Sequence, residues 1–187
     1  MSNVIYPIKR KLIVVHSLPT GQASFNLDNI FMGNLPEQLI IGLVSHDAYN
    51  GSFTLNPLAF KNYGLNHLCV YLNGEQYPKV SYTPDYQNDN YEREFYDFHN
   101  EQGLTDGIGI MDMTYISYKA MTALYCFNFN ADFSSSGKEY INLAKEGTLR
   151  IEIGFDTALT TALKLICFGR FDNNIEIDRN RNVITDY

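Results

Sequence analysis

Apolar, β-branched and aromatic residues recur along the chain in short runs: KLIVVHSL, QLIIGLVS, LNHLCVYLNGEQY, ALYCFNFNADF, TLRIEIGF, ALKLICFGRF and NNIEIDRN. Runs of this kind bounded by Gly, Asn, Asp and Pro read as strands, and their even spacing predicts an all-β domain. Alternation is strictest from Arg150 to Phe155, where Ile151, Ile153 and Phe155 share one face, and in Ile175-Glu176-Ile177-Asp178. QLIIGLV and LKLICF lack a polar face and predict strands covered on both sides. Asn73-Gly74 after CVYL predicts a tight turn, with EQYPKV returning as its hairpin partner.

The middle of the chain departs from this rhythm. Between Glu75 and Asp106 acidic residues outnumber Lys79 and Arg93, and YEREFYDFHNEQG sets Tyr91, Phe95 and Phe98 at helical spacing. Residues 75–122 therefore read as a long excursion carrying one short helix there and a second at ISYKAM. Helical insertions among evenly spaced strands fit a sandwich whose long connections cross between sheets. The expected fold is a single jelly-roll β-sandwich with short helices in a long inter-strand loop, residues 1–187 forming one domain.

At 187 residues, 45% hydrophobic and 14% aromatic, such a chain buries roughly 70% of its unfolded surface. The formal net charge of -7 disfavours nucleic acid as the main partner, because an acidic surface repels phosphates. Cys69, Cys126 and Cys167 each sit inside an apolar run and read as buried, reduced thiols. The apolar run Leu12 to Val15 is too short for a signal peptide or a membrane span. Asn50-Gly51-Ser52 reads as a turn.

Candidate chemistries fail on residue type or spacing. Asp178-Arg179-Asn180-Arg181-Asn182 starts like a calcium loop, but Val183 replaces the obligatory glycine and the twelfth position lies past Tyr187. A jelly-roll metal centre built on imidazoles needs two of them alternating along a strand, and His16, His46, His67 and His99 show no such pair. Ser45-His46-Asp47 has the residue types of a hydrolytic triad, yet neighbours on an extended chain point to opposite faces. Ser136-Gly137-Lys138 continues with Glu139, and Gly107-Ile108-Gly109 lacks a third glycine, so neither is a phosphate loop. No catalytic residue, metal or cofactor is expected, and an enzyme is the minority reading. Fourteen tyrosines and twelve phenylalanines remain to be placed. They either pack the sandwich and its loops or supply surfaces for self-association.

Three stretches together carry a resemblance: IYPIKRKLIVVHSLPTG; GNLPEQLIIGLVSHDAYNGSFTLNPLAFKNYGLNHLCVYLNGEQYP; and GTLRIEIGFDTALTTALKLICFGRFDNNIEIDRNRNV. In order and spacing they resemble the C-terminal half of capsid-like proteins from Polinton (Maverick) elements and related adintovirus-like DNA viruses. That half is similar to the second jelly roll of a hexon-like, double-jelly-roll major capsid protein. The match runs from about Ile5 to Val183, with 81–122 matching poorly. In that family a first jelly roll precedes the matching segment, whereas this sequence starts just before YPIKRK. It is either a piece of a longer protein or a single jelly roll that finds its partners in other copies of itself.

The resemblance implies a non-enzymatic virion protein, assembled in the cytoplasm or nucleus of a host cell. It further implies self-association, with a trimer favoured, and contact with other capsid proteins. The same fold also serves binding modules of the lectin or host-receptor kind, which is the competing reading. On either reading IEID is the terminal strand, and RNRNV is expected to carry the chain out of the sheet. Asp178, Arg179, Arg181 and Tyr187 are the candidate subunit contacts, the arginines pairing with carboxylates rather than holding an anion.

Overall fold

A computed structural model of the chain describes residues 3–101, 113–130 and 145–185. Its two longest strands are partners from opposite ends of the sequence. β1 (Val4–Leu18) and β10 (Leu163–Ile177), 15 residues each, pair antiparallel from Val4 opposite Ile177 to Leu18 opposite Leu163. On the far side of β10, β4 (Gln38–Ser45) pairs with residues 163–170, and β7 (Leu124–Asn128) pairs with β4. The second sheet has the order β2 (Ser24–Leu27), β9 (Leu149–Phe155), β5 (Leu65–Leu72), β6 (Glu75–Tyr82). Two minor pairings complete the set: β3 (Asn34–Leu35) with β8 (Lys145–Glu146), and β11 (Val183–Thr185) with residues 175–177 of β10. Eight antiparallel strands shared between two sheets, with strand orders β1-β10-β4-β7 and β2-β9-β5-β6, form a jelly roll.

The core follows from period-two alternation. Leu39, Ile41 and Leu43 on β4, Tyr125 and Phe127 on β7, and Leu163, Leu165 and Cys167 on β10 face Leu68 and Val70 on β5 and Ile151, Ile153 and Phe155 on β9. Each large aliphatic side chain removed from water in this way contributes about 1.5–3 kcal/mol. β4 is covered on its outer face as well. A Cβ on Gly42 would lie 2.6 Å from Cδ1 of Phe60, so the aromatic ring rests on bare backbone. LKLICF differs from expectation, because Lys164, Ile166 and Phe168 are half-exposed and only the alternate residues are buried.

Other departures have local causes. ALKLICFGRF and NNIEIDRN form one continuous strand, because the turn-formers Asp172, Asn173 and Asn174 are held in register opposite Lys9, Ile8 and Pro7. Pairing here overrides intrinsic preference. Asn73 and Gly74 both take positive φ, 51° and 86°, which makes a hairpin turn, so residues 75–82 are strand β6 and the excursion starts only after Tyr82. Where a polar turn was expected after β4, a short helix α1 (His46–Asn50) forms, because Ser45 Oγ accepts from the Ala48 N–H at 3.2 Å and caps it.

The excursion carries α2 (Glu92–Glu101) and α3 (Tyr115–Met121). Thr114 and Ser117 exchange side-chain to backbone hydrogen bonds and fix the start of α3. Tyr86, Tyr91, Phe98 and Tyr118 bury themselves around Cys126, on the outer face of β7, as a second small core. Their hydroxyls are satisfied there: Tyr86 meets Tyr125 at 2.7 Å, and Tyr118 donates to the Leu124 carbonyl at 2.8 Å. Much of the tyrosine surplus is thus packing rather than free surface.

A buried carboxylate marks the end of the sandwich. Glu37 lies just before β4, with its side chain 4% exposed. Its Oε2 accepts from Lys9 Nζ of β1 at 2.5 Å, and its Oε1 accepts from Arg170 Nε of β10 at 2.5 Å. Lys9 also pairs with Asp172. Burial acts to lower the Lys9 pKa, but Asp172 and Glu37 outweigh it and raise the value. Glu37→Ala should cost about 3 kcal/mol in chemical denaturation, because it removes the buried carboxylate that Lys9 and Arg170 share. Glu37→Gln should cost less.

Glu101, at the end of α2, is buried, and burial first and the Asp97 charge second push its carboxyl up to about 7. A carboxyl with a raised folded-state pKa is fully tolerated below its unfolded value near 4.5 and loses stability as pH climbs through 7. The melting temperature should therefore fall between pH 5 and 8, by the equivalent of up to about 3 kcal/mol. Glu101→Gln should flatten that slope.

Candidate functional site

Past Arg170, β10 has left β4 behind, and its last residues, 171–177, continue with residues 4–10 of β1 alone, joined by β11 at 175–177. The result is a ribbon, two-stranded at first and three-stranded at 175–177, that continues the sheet past the buried Phe171. Val4, Ile5 and Tyr6 are 53%, 56% and 52% exposed, and Val183 and Ile184 are 61% and 51% exposed. Successive strand residues point to opposite faces, so the ribbon presents apolar side chains on both. Lys9, Arg10 and Lys11 follow on β1, an edge strand, and charges at an edge oppose indiscriminate strand addition.

The tip of the ribbon is the turn between β10 and β11. Asp178 Oδ1 accepts from the Asn180 and Asn182 N–H groups, both at 2.8 Å, and Oδ2 accepts from Asn182 Nδ2 at 2.8 Å. These bonds, those from Asn182 foremost, hold the Asp178 carboxyl below its ordinary value. Arg181 takes φ 66° and donates its N–H to the Asp178 carbonyl at 3.1 Å. RNRNV therefore does not carry the chain out of the sheet. It folds back, and the carboxylate of Asp178 is used within the turn. Arg179 and Arg181 are exposed on this turn, while Tyr187 lies outside the described residues.

A second cluster sits on the outer face of the smaller sheet. On β5, Leu68 and Val70 face the core, so His67, Cys69 and Tyr71 face outward. The register sets Glu152 of β9 opposite Cys69 and Arg150 opposite Tyr71. Cys69 Sγ lies 3.7 Å from His67 Nε2 and 3.7 Å from Glu152 Oε2, and the ligand atoms of all three lie within 4.8 Å of one another. Glu152 also accepts from Tyr71 OH at 3.2 Å and from Arg150. Cys69 is 1% exposed, and burial pushes its thiol up. Cys126 and Cys167, pushed up to about 12 by burial, are inert core thiols.

A third feature is an open groove of about 710 Å³ beside α3, lined by Lys61, Asn62, Asp89, Tyr91, Tyr115 and Lys119 among others. Tyr91 and Tyr115 stack at 4.0 Å with planes 6° apart, and Lys119 pairs with Asp89 at its mouth.

The remaining candidates disperse. Ser45 Oγ caps α1, and His46 Nε2 meets Asn50 Nδ2 at 2.6 Å, so Ser45-His46-Asp47 assembles no relay. His99 Nδ1 meets the Phe95 carbonyl at 2.8 Å, and burial lowers the pKa of His16. The two glycine-bearing stretches at 107–109 and 136–138 lie outside the described residues. Among the described residues no helix is long and apolar enough to cross a membrane. The outward cluster is not legible from the histidines alone, since no two of them alternate along a strand. The alternation His67-x-Cys69 stood in LNHLCVYL, but Glu152 joins it only through a register spanning 83 residues.

No protein-family model matches the chain. Over 182 residues it is 22% identical to an uncharacterized Caenorhabditis elegans protein, covering 97% of this chain and 43% of that one. The fold is similar to PBCV-1 VP54 in a crystal structure fitted into a reconstruction of the virophage Sputnik, with a TM-score of 0.56 at 11% identity over 100% of this chain and 52% of that one. It is similar also to a chain of the quasi-atomic PBCV-1 virus capsid, with a TM-score of 0.51 at 11% identity and the same coverage. At that identity the likeness is one of fold. The chain spans about half the length of the proteins it matches.

Asp178→Ala should open the ribbon tip. Amide protection at Val183–Thr185 should fall at least tenfold in hydrogen exchange, with the β4 and β9 amides unchanged.

Proposed function

We propose that the chain is a capsid-like structural subunit, non-enzymatic, whose jelly roll is a wall element and whose ribbon docks on a neighbouring jelly roll. The observation that carries this reading is the ribbon itself: apolar residues exposed on both faces at Val4, Ile5, Tyr6, Val183 and Ile184, gathered at one end of the larger sheet. Contiguous apolar surface on a folded chain marks an interaction site. The fold supports the reading too, since a solved chain similar to it comes from the PBCV-1 virus capsid. The neighbour is another copy of this chain, three around an axis being the arrangement favoured by analogy. Arg179 and Arg181 at the ribbon tip pair with carboxylates of that copy, for which the net charge of -7 offers ample partners. The origin read for it is Polinton-like or adintovirus-like, its place the virion, and its assembly compartment the host cytoplasm or nucleus. Other capsid proteins are its remaining partners.

Light scattering on the purified chain should give a mass that is a multiple of 21.4 kDa, approaching three copies as concentration rises. Ile5→Asp combined with Ile184→Asp should return it to one copy without loss of β-sheet circular dichroism. Arg179→Ala with Arg181→Ala should weaken association roughly tenfold, more so at low salt. A chain that stays monomeric at every concentration refutes self-assembly.

The second reading, a binding module, draws on the groove between Tyr115 and Lys61, where aromatic faces and amide or charged groups converge. It requires a monomer that binds a glycan or peptide in this groove and loses it on Tyr115→Ala. Assembly with an unliganded groove rejects it.

A further inference from the structure

We propose that His67, Cys69 and Glu152 bind a zinc ion, which clamps β5 to β9 from the outer face of the smaller sheet. Residues two apart on a strand share a face, so His67 and Cys69 both point out of the sandwich, and the register delivers Glu152 directly across from the thiol. Around a tetrahedral zinc, with Zn–S near 2.3 Å and Zn–N or Zn–O near 2.0–2.2 Å, ligand atoms stand about 3.3–3.7 Å apart. The two distances measured from Cys69 Sγ, 3.7 Å to His67 Nε2 and 3.7 Å to Glu152 Oε2, match that figure. His67 and Glu152 stand within 4.8 Å of each other, so an entering ion draws these two ligands together by up to about an ångström.

The surroundings fit a metal site. Arg150 binds Glu152 Oε1 and leaves Oε2 facing the thiol, while Tyr71 OH braces Oε2, the orienting contacts that ligands require. Gly154 stands opposite His67, and a Cβ there would come 3.1 Å from the histidine Cβ, so its bare backbone leaves the imidazole room beside Cys69. Zinc binding releases the Cys69 thiol proton to solvent, and thiolate plus carboxylate then balance the two charges of the ion, with histidine neutral. A mixed sulfur, nitrogen and oxygen set selects zinc over magnesium or calcium, which take oxygen alone. Three protein ligands leave the fourth position to water, since His67 is half-buried at the surface.

The test uses the tag-free chain, stripped with chelator and titrated with Zn²⁺ or Co²⁺. One zinc per chain should bind, and Co²⁺ should show tetrahedral d–d bands with a thiolate-to-metal transition. Zinc at a hundredfold excess over its Kd should raise the melting temperature by roughly 5–10 °C. Cys69→Ser should abolish the thiolate transition, and His67→Ala and Glu152→Gln should each weaken binding roughly tenfold or more. If Cys69→Ser fails to fold, Glu152→Gln, which keeps shape and the Tyr71 contact, decides. Absence of stoichiometric binding, binding that survives these substitutions, or a preference for Mg²⁺ or Ca²⁺ overturns the proposal.

Discussion

The structure depends on the antiparallel pairing of β1 with β10. These strands come from opposite ends of the sequence, yet they lie side by side over their whole length and set the larger sheet. Closing so long a loop is entropically costly and is repaid only when the core closes with it. The inner half of the pair is buried by Leu18, Leu163, Leu165 and Cys167 against the second sheet. The outer half has no second sheet over it. There Glu37 anchors Lys9 and Arg170, and beyond this buried bridge the paired strands emerge as the ribbon. The contact that closes the fold thus also creates its exposed apolar surface.

Two consequences separate along the length of those strands. Substitutions toward Leu18 act on stability, because they open the core. On the proposed reading, substitutions toward Val4 act on association, because the residues there are exposed. The helices α2 and α3 do different work. Their tyrosine-rich core seals the outer face of β4 and β7, the central and edge strands at the other end of the sheet. One edge of the sheet is therefore padded, and the other is left exposed.

The fold was largely legible in the sequence because alternation at Ile151, Ile153 and Phe155, the Asn73-Gly74 turn and the helical spacing of Phe95 and Phe98 are local signals. What was not legible depends on long-range pairing. The continuity of β10 across Asp172, Asn173 and Asn174 needs β1 opposite, and the return of β11 needs the Asp178 carboxylate to close the turn. α1 was missed because a five-residue helix has no periodicity to read, though Ser45 offered a capping signal. Of the candidate contacts, the structure draws Asp178, Arg179 and Arg181 together on one turn, but it assigns Asp178 to the turn itself. The outward His67, Cys69 and Glu152 group is half local and half register, and only the local half stood in the sequence.

On the proposed reading, copies of the chain meet through the ribbon. Hydrogen exchange compared at concentrations below and above association tests it directly. Docking through the ribbon slows exchange at residues 4–6, 8 and 183–184 in the associated sample, with β6 on the far sheet unaffected. Equal exchange of these residues in a sample proven to be oligomeric would contradict it.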